Sequence, residues 1–429
     1  MDSRGAADNA KVKYVRPSAA AFCVTAGIVS AQFTMESRPV GYLIRPLVAA
    51  MVLSVVVGLA VSFFGRASVV AAVFVAAWLV QPGSPVALGL AFLVIVLIVY
   101  RVVRSRTLDV DKPFLFGAAV FLLGGVVPVV PQISWSMPTR AAVGETPTYL
   151  VLLDGYPRAD TLAALGIDIS PFLDELEARG FDLYPDATSE HGWTYRTLTL
   201  MTTGQPMTRD DWGSASERKA ARDSWRLPDG FVAIAPPVGN VTFPGVPVLN
   251  PGGPTLFEAE LAQNSALAGW LDGWIMDGLR YQLNRSLETL GSASEPRVFA
   301  HLIAPHTPFL YDADGLPMPP PECWPDCVTL EMRTHKLGVT VDEWASGTGE
   351  YLSWLNRRLI ETIDQLIARH PDVEIVLFSD HGGRFLQSDQ DEWHRTFLAA
   401  RTPTRPGLFV DSPHPGSILS AMGYISSQE

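Results

Sequence analysis

Before residue 135 the chain falls into apolar stretches at about 17–34, 41–64, 67–81, 86–103 and 114–134, and nothing else in the sequence restricts its folding as strongly. A helix needs roughly 20 mostly apolar residues to cross a bilayer, within a range of about 17–25. Hydrocarbon offers the backbone no water to bond, so such stretches fold as helices. The second, fourth and fifth are long enough, the third is short, and the first carries Thr, Ser and Gln. A cleaved leader is one short apolar segment, so the series predicts a multi-pass anchor over residues 1–134.

Basic residues in the short loops orient that anchor. With five spans and the N-terminus inside, the inner face holds Arg4, Lys11, Lys13, Arg16, Arg66, Arg101, Arg104, Arg106 and Lys112, against only Arg38 and Arg45 outside. Omitting the weak first span reverses the bias. Five spans therefore predict a cell-membrane protein whose large C-terminal domain lies outside the cytoplasm.

Charge divides at the same boundary. Through residue 146, 12 Lys and Arg face 6 Asp and Glu; from 147 onward the acids lead by 38 to 20. An acidic domain repels polyanions, which excludes nucleic acid as an expected partner. Residues 135–147 are rich in Ser, Thr, Pro and Gly and read as a linker, leaving 148–429 as the globular domain.

Two apolar runs in that domain end in carboxylates. Tyr149–Leu153 leads into Asp154, and Ile375–Ser379 leads into Asp380-His381-Gly382-Gly383. A third strand, Arg297–Ile303, ends in Ala304-Pro305-His306. Helical patterns are expected at about 159–166, 170–180, 194–203, 254–290 and 350–369, the last with Tyr351, Leu352, Leu355, Leu359, Ile363, Leu366 and Ile367 at helical spacing. Residues 205–253, rich in Pro, Gly, Asp and Trp, read as an irregular insertion, and about 305–347 as a long loop. Strands alternating with helices predict an α/β domain with a mostly parallel central sheet.

In such sheets ligands gather outside the carboxyl ends of the strands. Asp154, Asp380 and His381 arriving there suit a divalent metal, zinc or manganese, with magnesium or calcium as further candidates. Thr194 opens a helical run that stops at Gly204. As an N-cap it is ordinary, but at a helix N-terminus the same hydroxyl becomes a stabilised anionic oxygen, and a metal activates it further as a nucleophile. Thr197 is an alternative for either role. Arg196, Arg384, His306 and His394 are the candidate donors to the oxygens of an anionic substrate. Cys323 and Cys327 flank Trp324-Pro325-Asp326, and an oxidising outer compartment favours a local disulfide there over a metal pair. Cys23, in the first apolar stretch, reads as a small buried residue.

Leu152-Leu-Asp154-Gly-Tyr-Pro-Arg158, the Thr194 segment ending Met201-Thr-Thr-Gly204, His301-Leu-Ile-Ala-Pro-His306-Thr-Pro-Phe309 and Phe378-Ser-Asp380-His381-Gly382 together resemble the alkaline phosphatase and sulfatase superfamily. The likeness covers about 147–400 and is greatest to the membrane-anchored envelope branch, lipoteichoic acid synthases and phosphoethanolamine transferases. It implies an alkaline-phosphatase-like α/β/α domain with metal ligands on Asp154, Thr194, Asp380 and His381. It further implies Thr194 as the nucleophile, His306 on the substrate side, and His394, by a looser match, at substrate or a second metal. Sulfatases carry Cys or Ser in a Cys/Ser-x-Pro-x-Arg setting; this chain has Thr194-Tyr-Arg196, which disfavours sulfate ester hydrolysis. Beyond these ligands only His306, His394, Asp391 and Asp312 remain as donors, so a single ion is expected.

The expected function is transfer of a phosphorylated head group from a membrane lipid to an envelope glycan or lipid acceptor through a phospho-threonine. A tethered domain meets a lipid donor at high effective concentration. The alternatives are a phosphoester hydrolase of the same fold and a non-catalytic membrane protein that binds an envelope component.

Overall fold

The computed structural model describes residues 146–425, apart from 209–212, 240, 250, 256–257, 260–261, 263–267, 320–339 and 386–389, together with 44–61 and a few residues between 18 and 26. The expected spans at 67–81, 86–103 and 114–134, the cysteines Cys23, Cys323 and Cys327, and nearly all of the linker lie outside these residues. The chain divides into two compact units, Met1–Trp135 with Thr255–Ile275, and Ser136–Pro254 with Met276–Glu429.

In the first unit, helix α1 (Ile44–Val61) falls within the expected second span. Its 18 residues reach roughly 27 Å at 1.5 Å per residue. Among the described residues no helix is long and apolar enough to cross a membrane. Val48, Met51, Val52, Val55 and Val56 are exposed on α1, whereas Ser54 is buried and pairs its hydroxyl with that of Thr25 at 3.1 Å. Arg45, at the start of α1, forms an ion pair with Glu258 at 2.9 Å.

The second unit is built on a six-stranded sheet: β1 (Thr148–Leu153), β2 (Asp182–Leu183), β3 (Val232–Ile234), β4 (Arg297–Leu302), β5 (Glu374–Phe378) and β6 (Leu398–Arg401), in the order β2-β6-β5-β1-β4-β3. The strands β5, β1, β4 and β3 are mutually parallel; β6 and β2 pair antiparallel at one edge. Every residue of β1 is buried, as expected of a central parallel strand covered on both faces. Leu150 and Leu152 join a cluster with Leu198, Met201, Trp225, Phe243, Phe299, Val376 and Phe378. Alternation turns Tyr149, Val151 and Leu153 to the other face, where the Tyr149 hydroxyl donates to the carbonyls of Ala293 and Glu295 at 3.3 Å.

Between and after the strands along the chain come α2 (Ala159–Ala164), α3 (Ser170–Ala178), α4 (Thr194–Thr203), α5 (Ala215–Ser224), α6 (Ala268–Ser292), α7 (Val341–Arg369), α8 (Gln390–His394) and α9 (Ile418–Ala421). Helix α4 has the expected bounds and stops at Gly204, whose φ of 70° is the left-handed conformation that a glycine adopts without cost. The expectation of an irregular insertion over 205–253 is corrected: it holds α5, started by a Ser214–Glu217 capping box, and the edge strand β3. Helix α7 begins nine residues earlier than its apolar periodicity indicates, because Thr340 and Glu343 form a capping box ahead of it.

Candidate metal centre

Because β1 and β5 are parallel neighbours, with Leu152 opposite Phe378, the residues that follow them leave the sheet at the same end. That register brings Asp154 and Asp380 together. One ligand atom from each of Asp154, Asp380 and His381 lies within 4.8 Å of the other two, and all three side chains are buried. His381 Nε2 is 3.4 Å from Asp154 Oδ1 and 3.5 Å from Asp380 Oδ2.

The other polar atom of each group is already committed. His381 Nδ1 lies 2.7 Å from the Gly382 carbonyl; a carbonyl only accepts, so Nδ1 carries the proton and Nε2 presents its lone pair. Asp380 Oδ1 accepts from the Gly155 N–H at 3.2 Å, and Asp154 Oδ2 from His301 Nε2 at 2.9 Å. Asp154 Oδ1, Asp380 Oδ2 and His381 Nε2 are left buried with no hydrogen-bond partner. Three orphaned electron-pair donors facing one another are costly to fold unless a cation fills the space between them. The donor set, two carboxylates and an imidazole, fits a divalent metal.

Glycines make the approach geometrically feasible. Gly155 has a φ of 69°, and a Cβ on it would stand 3.1 Å from His381 Cε1. A Cβ at Gly382 would come within 2.2 Å of the Glu392 carbonyl oxygen.

Electrostatics agree with the geometry. Burial pushes the Asp154 carboxyl up, but the hydrogen bond from His301 and the nearness of His381 and His306 hold it well below the usual carboxylate range. His306 is shifted down: burial outweighs the pull of Asp154, with His381 and Arg384 adding to the fall. Its Nδ1 donates to the Thr307 carbonyl at 2.9 Å, leaving Nε2 as the basic atom. The backbone carries it in place, since the His306 N–H donates to the Asp154 carbonyl at 3.0 Å, with cis bonds at Ala304–Pro305 and Thr307–Pro308 on either side.

His306 and His381 both line a pocket with Gly155, Trp344, Arg384 and Phe385. Arg384 has a positive φ of 51°, its guanidinium sits 4.1 Å over the Trp193 ring and 5.6 Å from that of Trp393, and it donates to the Gly192 carbonyl. A non-glycine residue held in the left-handed region marks a position that its surroundings over-determine. Arg196 lies elsewhere: it is buried over the Tyr195 ring, 5.0 Å from its centroid, and is not part of the pocket lining.

Thr194 is the half-buried first residue of α4, and the N-cap Trp193 supplies no capping side chain. Thr197, one turn on, is fully buried and donates to the Asp380 carbonyl at 2.9 Å while contacting the Ser189 hydroxyl at 3.0 Å. Thr197, the alternative to Thr194, is thus held by bonds to the protein. His394 Nδ1 donates to the Ser189 carbonyl at 2.8 Å, and the Ser189 N–H returns a bond to the His394 carbonyl. Asp312 folds its carboxylate onto the N–H groups of Asp314 and Leu316, and Asp391 is exposed, so neither joins the cluster.

His301 is the residue that the sequence analysis passes over. It stands within an apolar strand and figures there only as the first residue of the His301–Phe309 segment. Its signal is the register: His301 pairs with Leu152, two residues and therefore one side-chain repeat before Asp154.

No protein-family model matches the chain, and no curated protein matches it. Among solved structures, the C-terminal periplasmic domain of EcEptC from Escherichia coli in complex with Zn aligns at 14% identity and TM-score 0.35, covering 63% of this chain and 78% of that one. The C-terminal periplasmic domain of phosphoethanolamine transferase EptC from Campylobacter jejuni aligns at 14% identity and TM-score 0.39, covering 68% and 95%. The integral membrane protein lipooligosaccharide phosphoethanolamine transferase A from Neisseria meningitidis aligns at 14% and 0.38, covering 98% and 97%.

Proposed function

We propose that the protein is a metal-dependent phosphotransferase that takes a phosphorylated head group from a membrane lipid onto Thr194 and passes it to an envelope glycan or lipid. The observation that carries this reading is the convergence of Asp154 Oδ1, Asp380 Oδ2 and His381 Nε2, all buried and unsatisfied. Asp154, Asp380 and His381 would hold one divalent ion, with the Thr194 hydroxyl as a further ligand. When bound, such an ion supplies Lewis acidity to the phosphoryl oxygens and lowers the pKa of a coordinated hydroxyl.

The chain's own residues account for the rest. Thr194 Oγ, at the head of α4, attacks phosphorus; the new Oγ–P bond replaces the P–O bond to the lipid, which leaves as an alkoxide. His306, kept neutral by burial, takes the threonine proton at Nε2 and returns it to that alkoxide. In the second half an acceptor hydroxyl attacks the same phosphorus, the Oγ–P bond breaks, and His306 takes the acceptor's proton at Nε2 and gives it to the departing Thr194 Oγ. Arg384, stacked and fixed on the pocket wall, meets the phosphoryl oxygens. His394 holds the Ser189 segment that leads into α4, and Arg196 braces α4 from within.

The N-terminal half of the proposal is a five-span anchor with the catalytic domain outside. The Thr25–Ser54 hydroxyl pair, joining the first two expected spans, supports it, since such pairs link helices in membranes. So does the pairing of Arg45, expected outside, with Glu258 from the segment after β3.

Mass spectrometry of the intact protein after incubation with membrane lipids tests the chemistry. The expected result is an added head-group mass at Thr194 that is absent from Thr194→Ala. Full turnover by Thr194→Ala would refute the nucleophile.

A further inference from the structure

His301 has no part in the chemistry above, yet it is fully buried against the site. Its Nε2 lies 2.9 Å from Asp154 Oδ2, and since a carboxylate accepts, Nε2 carries the proton. Its Nδ1 is buried with no hydrogen-bond partner. A Cβ at Gly239 would stand 2.8 Å from both Cε1 and Nδ1 of this ring, so a glycine there leaves room for an imidazole in this one orientation.

A buried His–Asp pair that served only the fold would satisfy both ends of both groups. This one leaves Asp154 Oδ1 unbonded and turned toward His381 Nε2, 3.4 Å away. The same division recurs on the other carboxylate, where the Gly155 N–H occupies Asp380 Oδ1 and Oδ2 faces inward. Each acid thus has one oxygen held by the protein and one offered to the centre.

We propose that His301 is a positioning residue that, by donating from Nε2 to Asp154 Oδ2, fixes Oδ1 as the oxygen presented to a divalent cation. The inference deepens the metal reading above and rests on it. Partners that orient a metal ligand from behind typically change affinity by about 10–100-fold when removed.

The test is zinc binding to the purified full-length chain in detergent, measured by titration against a competing chelator and paired with thermal unfolding of the metal-free protein. His301→Leu fills the space without a donor and is expected to weaken zinc binding by about 10–100-fold. His301→Gln places an amide donor near the position of Nε2 and is expected to restore most of that loss, although both substitutions disturb packing alike. A folded His301→Leu with wild-type Kd overturns the proposal. If His301→Leu does not fold, His301→Asn, whose donor sits on a shorter stem, replaces it; Asn is expected to bind at least about tenfold more weakly than Gln, and equal affinity of the two overturns the proposal. Asp154→Asn separates the two layers. Zinc binding undiminished in that variant refutes the metal reading itself, whereas its loss there with full retention in His301→Leu refutes only the positioning role.

Discussion

Thr197 Oγ1 donates to the main-chain carbonyl of Asp380 at 2.9 Å, which ties the first turn of α4 to the strand end that delivers a carboxylate of the candidate metal centre. Thr194, proposed as the nucleophile, and Asp380, proposed as a ligand, stand almost two hundred residues apart in the chain, and this buried bond joins their two segments. Thr197→Val removes the donor while keeping the shape, leaving the Asp380 carbonyl and the Ser189 hydroxyl short of a partner. Stability is expected to fall by about 1–3 kcal/mol, read from chemical denaturation. Thr197→Ser is expected to recover most of it, and a Thr197→Val variant as stable and active as the wild type would argue against the bond's importance.

His306 provides a pH signature. Its pKa is lowered in the folded state, so between the folded value and about 6.5 the unfolded chain binds the extra proton. Stability therefore drops as pH falls through about 6.5 and levels off below the folded pKa. Asp154 acts lower on the scale: its depressed pKa contributes stability above about 3.9 that is lost as pH falls further. Denaturation midpoints of the metal-free protein from pH 7.5 down to about 5.5 should decline in the wild type and decline less in His306→Gln. Parallel slopes would remove His306 as the cause.

Gly155 tests how tightly the centre is built. An alanine there meets a strained φ of 69° and puts its methyl 3.1 Å from His381 Cε1. The backbone strain costs of order 1 kcal/mol, and the pushed imidazole no longer aims Nε2 between the carboxylates. Gly155→Ala is expected to lose at least about tenfold in zinc affinity with its circular dichroism unchanged. Wild-type affinity in this variant would mean that the ring has slack.

Arg384 is held by stacking as well as by charge. Lysine keeps the charge but neither the planar face over Trp193 nor the bond to Gly192. Arg384→Lys is expected to lower kcat/KM by tenfold or more, about 1.4 kcal/mol of transition-state stabilisation, with little change in zinc affinity. Arg196→Lys, outside the pocket lining, should instead act on stability. Reversed effects would exchange the two arginines' assignments.

The central strands were legible because each is a short apolar run buried on both faces, and the turn chemistry after them exposed Asp154, Asp380 and His381. The edges were not. β2 is two residues long, β6 reads Leu-Ala-Ala-Arg, and β3 is three residues inside a stretch dense in proline and glycine, so none gives a period to detect. The starts of α5 and α7 did carry a readable signal, Ser214 with Glu217 and Thr340 with Glu343, which periodicity alone passed over. Arg196 and Arg384 look alike as sequence. Arg384 alone combines a left-handed backbone with a guanidinium stacked over Trp193 and a place in the pocket lining.

Strand β1 lies between two partners that come much later in the chain, β4 at 297–302 and β5 at 374–378. During synthesis Asp154 therefore emerges long before the groups that share its site, and it waits as a solvated acid while well over two hundred further residues are made. A ribosome-bound fragment ending ahead of residue 370 is expected to retain no zinc at this position, because it lacks Asp380 and His381, two of the three candidate ligands.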